Sequence, residues 1–208
     1  MMSIVTTGAE TGYYVDVFRS RKEKGGDKMH DYFYHNLGQT LTLTTADGSD
    51  LNLQPTEELA FAGAHLYAYS YLYDKKVAAT AKDVKATFTI DMKDKDGDDI
   101  YMNLWMKGEP DREVFTALAP MTEGLSRTPN MPYNIKEQPT LTFVARQHGE
   151  AWNRPFVSIY EPSTKKEPST IQSVSYFDVE GVGLEDFAGI CVKSKNVRFP
   201  AYSLLITA

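Results

Sequence analysis

The sequence predicts an all-β protein, an antiparallel two-sheet β-sandwich of about ten to twelve strands. Three observations predict it. Short runs rich in aromatic and β-branched residues recur along the chain. Gly, Asp, Asn and Pro punctuate them at intervals that suit tight connections. No long stretch carries the apolar stripe of an amphipathic helix. With 208 residues, the chain is long enough to bury one sizeable core. The expected organisation is one domain over 1–208, with 1–12 a short leader or part of the first strand.

The strand-forming runs, in order, are 13–19, 31–36, 40–45, 66–73, 86–92, 100–106, 113–118, 140–146, 155–160, 171–178, 187–193 and 202–207. The first two flank a charged loop containing Gly25 and Gly26, so they read as a β-hairpin. Ala46-Asp47-Gly48-Ser49 and Asp96-Gly97-Asp98 read as hairpin turns. Residues 119–139 hold four of the ten prolines. Together with the Pro/Ser/Thr/Lys-rich 161–170, they read as surface loops able to wall a groove. Pro55-Thr56-Glu57-Glu58 is able to cap one short helix over 56–64.

Composition excludes several classes. Charged residues make up 24% and the net charge is −6, unsuited to a nucleic-acid partner held through phosphates. No apolar run approaches the ~18 residues of a membrane span, and neither a nucleic-acid nor a membrane partner is expected. Met1–Thr7 lacks a basic n-region and a long apolar core, so no secretion signal is visible. The single cysteine, Cys191, sits in an apolar run and reads as an inert buried thiol. A P-loop, a G-x-G-x-x-G fingerprint, a G-x-S-x-G elbow and a C-x-x-C pair are all absent, which argues against nucleotide enzymes and serine hydrolases.

Four constellations carry candidate chemistry. Along a strand through His30, Asp31, Tyr32 and His35, alternation places Asp31, Phe33 and His35 on one face and His30, Tyr32 and Tyr34 on the other. The two histidines therefore do not chelate one metal, and no metal or cofactor is expected. Tyr67, Tyr69, Tyr71 and Tyr73, spaced by two, would line one strand face opposite Leu66, Ala68, Ser70 and Leu72. Such a row suits a saccharide platform, since tyrosine faces stack on sugar rings and the hydroxyls bond to theirs. It suits cross-strand packing equally. Arg19, Arg146, His148 and Arg154 are the third group, with Arg19 beside Asp16 and Arg146 near Glu150 as plausible ion pairs. Asp94-Lys95-Asp96-Gly97-Asp98-Asp99 hints at calcium, but Met92 stands where an EF-hand-like loop wants an acid. A solvated turn explains it with less.

The order V-D-V-F-R over 15–19, G-G over 25–26 and H-D-Y-F-Y-H over 30–35 resembles the C-terminal β-domain of heparinase II/III-like polysaccharide lyases. A second stretch strengthens the resemblance: F-V-A-R-Q-H-G-E-A-W over 143–152, then Arg154-Pro155-Phe156-Val157 and Glu161-Pro162. Together they cover roughly 13–161. Such enzymes look like an α-helical toroid followed by antiparallel β-layers, with catalytic Asn, His and Tyr mostly upstream. Their H-x-H-x-D and metal-associated H-N-T motifs do not occur here. The resemblance thus implies an accessory tail or a free-standing relative of one, not catalytic alone. It implies a polysaccharide or oligosaccharide partner, a catalytic toroid absent from this chain, and a periplasmic or exported location. The short leader fits a truncated reading frame. Arg146, Tyr67, Tyr69, Tyr71 and Tyr73 are the candidate glycan contacts.

A lyase must neutralise a uronate carboxylate and remove the adjacent C5 proton. Arg19, Tyr32, His35 and His148 are the side chains here with the chemistry for those tasks. A free-standing carbohydrate-binding module and a compact uronate-glycan lyase therefore stand as alternatives to the accessory role.

Overall fold

The computed structural model describes all residues except 1, 27, 61–66, 93–96, 123–136, 179, 181–182, 184–186, 196–201 and 207–208. The described residues form fourteen strands: β1 (Met2–Thr6), β2 (Gly12–Ser20), β3 (Met29–Asn36), β4 (Thr40–Thr45), β5 (Gln54–Pro55), β6 (Tyr73–Ala79), β7 (Val84–Ile90), β8 (Ile100–Met106), β9 (Arg112–Ala119), β10 (Thr140–His148), β11 (Ala151–Thr164), β12 (Ile171–Phe177), β13 (Ala188–Ser194) and β14 (Tyr202–Ile206). All pair antiparallel, in sheets ordered β1-β2-β11-β8-β7-β4, β3-β10-β9-β6-β5 and β12-β13-β14. The expected sandwich is present, and the third sheet adds a layer to it.

Side-chain alternation explains the layering. On β2, Tyr13, Val15 and Val17 are buried against Val174, Ile190 and Val192 of the three-stranded sheet. β11 splits its residues likewise, Val157 and Ile159 joining that core while Phe156 and Tyr160 join the other. The main interior lies between the six- and five-stranded sheets, where Phe88, Leu104 and Met106 meet Val114, Leu141 and Phe143. Phe88, Leu104 and Phe143 are almost wholly buried, each removing enough apolar surface from water to stabilise by about 1.5–3 kcal/mol. The outer face of the five-stranded sheet forms a third core, in which Leu59, Leu72 and Tyr69 cover Phe33, Phe115 and Val144.

Three local expectations change. β2 and β3 do not form a hairpin: β2 pairs with β1 and β11, and β3 pairs with β10 in the other sheet. Their aromatic faces meet through side chains instead, Phe18 packing edge-on against Tyr32 at 6.0 Å. The tyrosine run is not a strand. Tyr67–Tyr71 is a 3-10 turn, closed by the Leu72 amide donating to the Tyr69 carbonyl, and only Tyr73 starts a strand; Leu66 lies outside the described residues. Finally, β11 runs through Thr164, so part of the expected 161–170 loop is strand. Glu161 is buried there and accepts bonds from the amides of Thr170 and Ile171 and the Thr170 hydroxyl, pinning the third sheet to the sandwich.

A turn does form at Asp47-Gly48, with Gly48 at φ +87°, but it closes only the single bridge from Thr44 to Asp50 and not the expected hairpin, since β4 pairs with β7 and β5 with β6. β7 and β8 pair across 91–99, although Asp94 and Asp96 lie outside the described residues, as do 61–64 of the possible helix and most of the 119–139 loop. Thr56 accepts the Glu58 amide in a local turn.

Candidate functional site

β3 is the edge strand of the five-stranded sheet and alternates as its sequence requires. On its outer face Asp31, Phe33 and His35 stand opposite Arg146, Val144 and Thr142 of β10. The 3-10 turn folds over that face because residues spaced by three share a side. Tyr69 and Leu72 turn in to cover the sheet, while Tyr67 and Tyr71 stay exposed. Between them opens an apolar cleft of about 440 Å³ lined by Phe33, His35, Ala68, Tyr69, Tyr71, Leu72, Ala119 and Pro120. Phe33 meets the Tyr69 ring edge-on at 5.3 Å and lies 5.9 Å from the imidazole of His35.

His35 Nδ1 is 2.8 Å from the Thr142 hydroxyl. His35 stays partly exposed, but its contact with the apolar walls disfavours the imidazolium and lowers the His35 pKa below its ordinary 6.5. The ring is therefore neutral at neutral pH, an acceptor or donor for a sugar hydroxyl.

Behind Tyr69 lies an ionic strut. Arg146 grips Asp31 with two parallel bonds, Nε to Oδ1 at 2.8 Å and Nη2 to Oδ2 at 2.9 Å. Its remaining nitrogen donates to Glu58 at 3.1 Å, and the Tyr69 hydroxyl donates to Asp31. Those bonds to Asp31 raise the Arg146 pKa, and burial with the adjacent Asp31 charge raises that of Tyr69. Arg146 thus pairs with Asp31 and Glu58 rather than Glu150, which instead accepts the Trp152 and Asn153 amides. A pocket of about 320 Å³ beside the strut is lined by Met29, Asp31, Glu58, Leu59, Ala60, Tyr69 and Arg146.

The other candidates are dispersed. Tyr32 points into the sandwich, where its hydroxyl donates to Asp16 at 2.8 Å. Arg19 donates to the carbonyls of Trp152 and Phe187, and Arg154 to those of His148 and Pro110. His148 bonds Glu113 at 2.8 Å and sits six positions along β10 from Thr142, about 20 Å from His35. His35 and the two tyrosines Tyr69 and Tyr71 are brought together; Arg19, Tyr32 and His148 are not brought to them, and Tyr67 and Tyr73 do not line the cleft. Leu72, Ala119 and Pro120, which complete the wall, carried no signal in the sequence beyond being apolar. Among the described residues no group of acids, histidines or cysteine is arranged to hold a metal ion. No helix among them is long and apolar enough to cross a membrane.

The cleft sets aromatic rings and a neutral imidazole side by side, a surface on which a sugar ring could stack. Over 178 residues the chain is 35% identical to the endo-acting ulvan lyase of Formosa agariphila. That stretch is 84% of this chain but 20% of the relative, so the chain spans about a fifth of its length. The identity establishes a relationship to a polysaccharide lyase. No family model matches the chain.

Proposed function

We propose that this chain is an accessory β-sandwich of a heparinase II/III-like polysaccharide lyase, which holds glycan in the Phe33–His35–Tyr69–Tyr71 cleft and does not catalyse β-elimination by itself. The observation that carries this is the cleft, whose apolar aromatic walls sit on the strand bearing the H-D-Y-F-Y-H motif. A sugar ring stacks its C–H face on Tyr71 while the His35 ring serves its hydroxyls. Elimination demands more. Among the described residues no Lys, Arg, Asp or Glu lines the cleft, and the nearby cation, Arg146, is already bonded to two carboxylates. Burial pushes Tyr69 and Tyr32 up, away from the phenolate a base requires. The catalytic groups would then belong to a separate toroid, and the location would be periplasmic or exported, where such glycans are met.

Affinity electrophoresis of the chain through ulvan, heparin-like, chondroitin-like and alginate gels tests this, alongside ultraviolet detection of unsaturated uronate. Retardation by at least one glycan is expected, weakened about tenfold by Tyr71→Ala, with no absorbance rise. A rise that disappears in His35→Ala would make the chain a lyase in its own right. Retardation unchanged in Tyr71→Ala would remove the cleft from the account.

A further inference from the structure

The aromatic cleft does not end at Leu72. That side chain also walls a second pocket, of about 460 Å³, whose lining includes Glu57 and, from β6, Tyr73, Asp74 and Lys75. The register fixes where this pocket lies. His35 on β3 stands opposite Thr142 on β10, Thr142 opposite Ala117 on β9, and the adjoining Leu118 opposite Tyr73 on β6. Both pockets therefore lie along one row across the five-stranded sheet. β3 is three strand spacings from β6, roughly 15 Å. Between Tyr73 and Lys76, β6 carries one residue more than β9. Asp74 sits in that bulge at φ +47°, a conformation that Asp tolerates better than most side chains, and a bulge re-aims the residues it contains. The Lys75 carbonyl accepts the Thr56 amide and the Lys75 ammonium donates to the Glu57 carbonyl at 3.3 Å, which ties β6 to the segment after β5.

We infer that this pocket is a second subsite of the same glycan site, seating a further unit of the polysaccharide through a pair of neighbouring hydroxyls on the Asp74 carboxylate. The inference rests on the cleft reading above. Among the described residues, neither the Asp74 nor the Glu57 carboxylate is engaged in an ion pair or a hydrogen bond. Both are open to donors, and the two oxygens of one carboxylate accept from two hydroxyls at once. Tyr73, 49% exposed, offers a ring face to the C–H groups of the same unit. Two carboxylates against one ammonium in the lining turn away a uronate or a sulfate and leave hydroxyls as the groups recognised. The two sites thus differ in chemistry: the cleft takes a ring face, and the pocket beyond Leu72 takes hydroxyls. Each has the volume of a small ligand site. Because they share a wall and a face of the sheet, one chain fills both, and linked sites raise affinity beyond either alone.

Titration calorimetry with disaccharide and hexasaccharide fractions of ulvan, heparin, chondroitin and alginate tests this, using Asp74→Gly, Tyr73→Ala and Tyr71→Ala. Glycine takes a positive φ without strain, so Asp74→Gly removes the carboxylate and keeps the fold. For the glycan that the wild type binds, the hexasaccharide is expected to bind about tenfold more tightly than the disaccharide. Asp74→Gly and Tyr73→Ala should abolish that gain and leave disaccharide affinity unchanged, whereas Tyr71→Ala weakens both. A gain that Asp74→Gly and Tyr73→Ala keep, or no gain in the wild type, overturns the subsite and leaves the cleft standing. A gain that survives Asp74→Gly but disappears in Lys75→Gln and at about 500 mM sodium chloride would place an anionic group on Lys75, and also overturns it. Absence of binding by every fraction brings down the cleft reading, and the subsite with it.

Discussion

Asp31 decides more of the candidate site than any other side chain. It is the shared acceptor of Arg146 and Tyr69, and both carboxylate and guanidinium are under a tenth exposed. Removing the Asp31 charge leaves the buried Arg146 with only the more exposed Glu58 as counter-ion, a loss at the low end of the about 3–5 kcal/mol for breaking a buried pair. Asp31→Asn is therefore expected to lower the urea midpoint by the equivalent of about 3 kcal/mol, while Tyr69→Phe, which loses a single hydrogen bond, lowers it by about 1. Equal midpoints for Asp31→Asn and wild type would show that the strut does not hold the 3-10 turn. His35 adds a pH dependence. Its folded pKa lies below 6.5, so the unfolded chain binds the proton first, and stability contributed by the neutral ring is complete above 6.5. It is lost as pH falls from there through the folded value. Urea midpoints at about pH 7.5 and 5.5 should fall further for wild type than for His35→Gln; parallel falls would mean that the cleft leaves the imidazole unperturbed.

At the scale of elements, the crossing from β3 to β4 is made in three residues. β3 belongs to one large sheet and β4 to the other, and Gly38 stands between them at φ +142°. A Cβ there would lie 2.5 Å from the Thr89 carbonyl of β7 and 3.2 Å from Leu141 of β10. Gly38→Ala is expected to cost about 1–3 kcal/mol from backbone strain alone, read as a lower thermal midpoint. A melt that does not move would mean the crossing relaxes freely. What the sequence revealed of these elements follows the range of the interactions involved. β4 and β8 lie where alternation puts them, at 40–45 and 100–106, and alternation alone predicted that Asp31, Phe33 and His35 share a face. Pairing was not legible. β2 and β3 read as a hairpin because a charged loop with Gly25 and Gly26 lies between them, yet their aromatic faces meet across the sandwich, and β1 and β11 take both edges of β2. The tyrosine run read as a strand because its period is two, but Phe33, Phe115 and Val144 needed a cover, which a 3-10 turn provides through Tyr69 and Leu72. Arg146 is 115 residues from Asp31, and no local pattern announces such a partner. β6 went unseen because Tyr73–Ala79 holds one β-branched residue, Val77.

For the whole molecule, the proposed function raises the question of what kind of force would hold a glycan. The chain carries −6 net charge, and a uronate-bearing polysaccharide is also an anion, so long-range electrostatics oppose their encounter. Among the described residues, the cleft beside His35 has no lysine or arginine in its lining. Binding must then come from ring stacking and hydroxyl bonding, which salt hardly screens, against a weak repulsion that salt does screen. The expected result is a dissociation constant that stays level, or falls slightly, as sodium chloride rises from about 50 to about 500 mM. A basic groove would behave in the opposite way, losing affinity steeply over the same range. Calorimetry of wild-type chain with intact ulvan across that series decides between them: a tenfold weakening would place the glycan on lysines and arginines outside the cleft, and a flat series would favour the aromatic cleft.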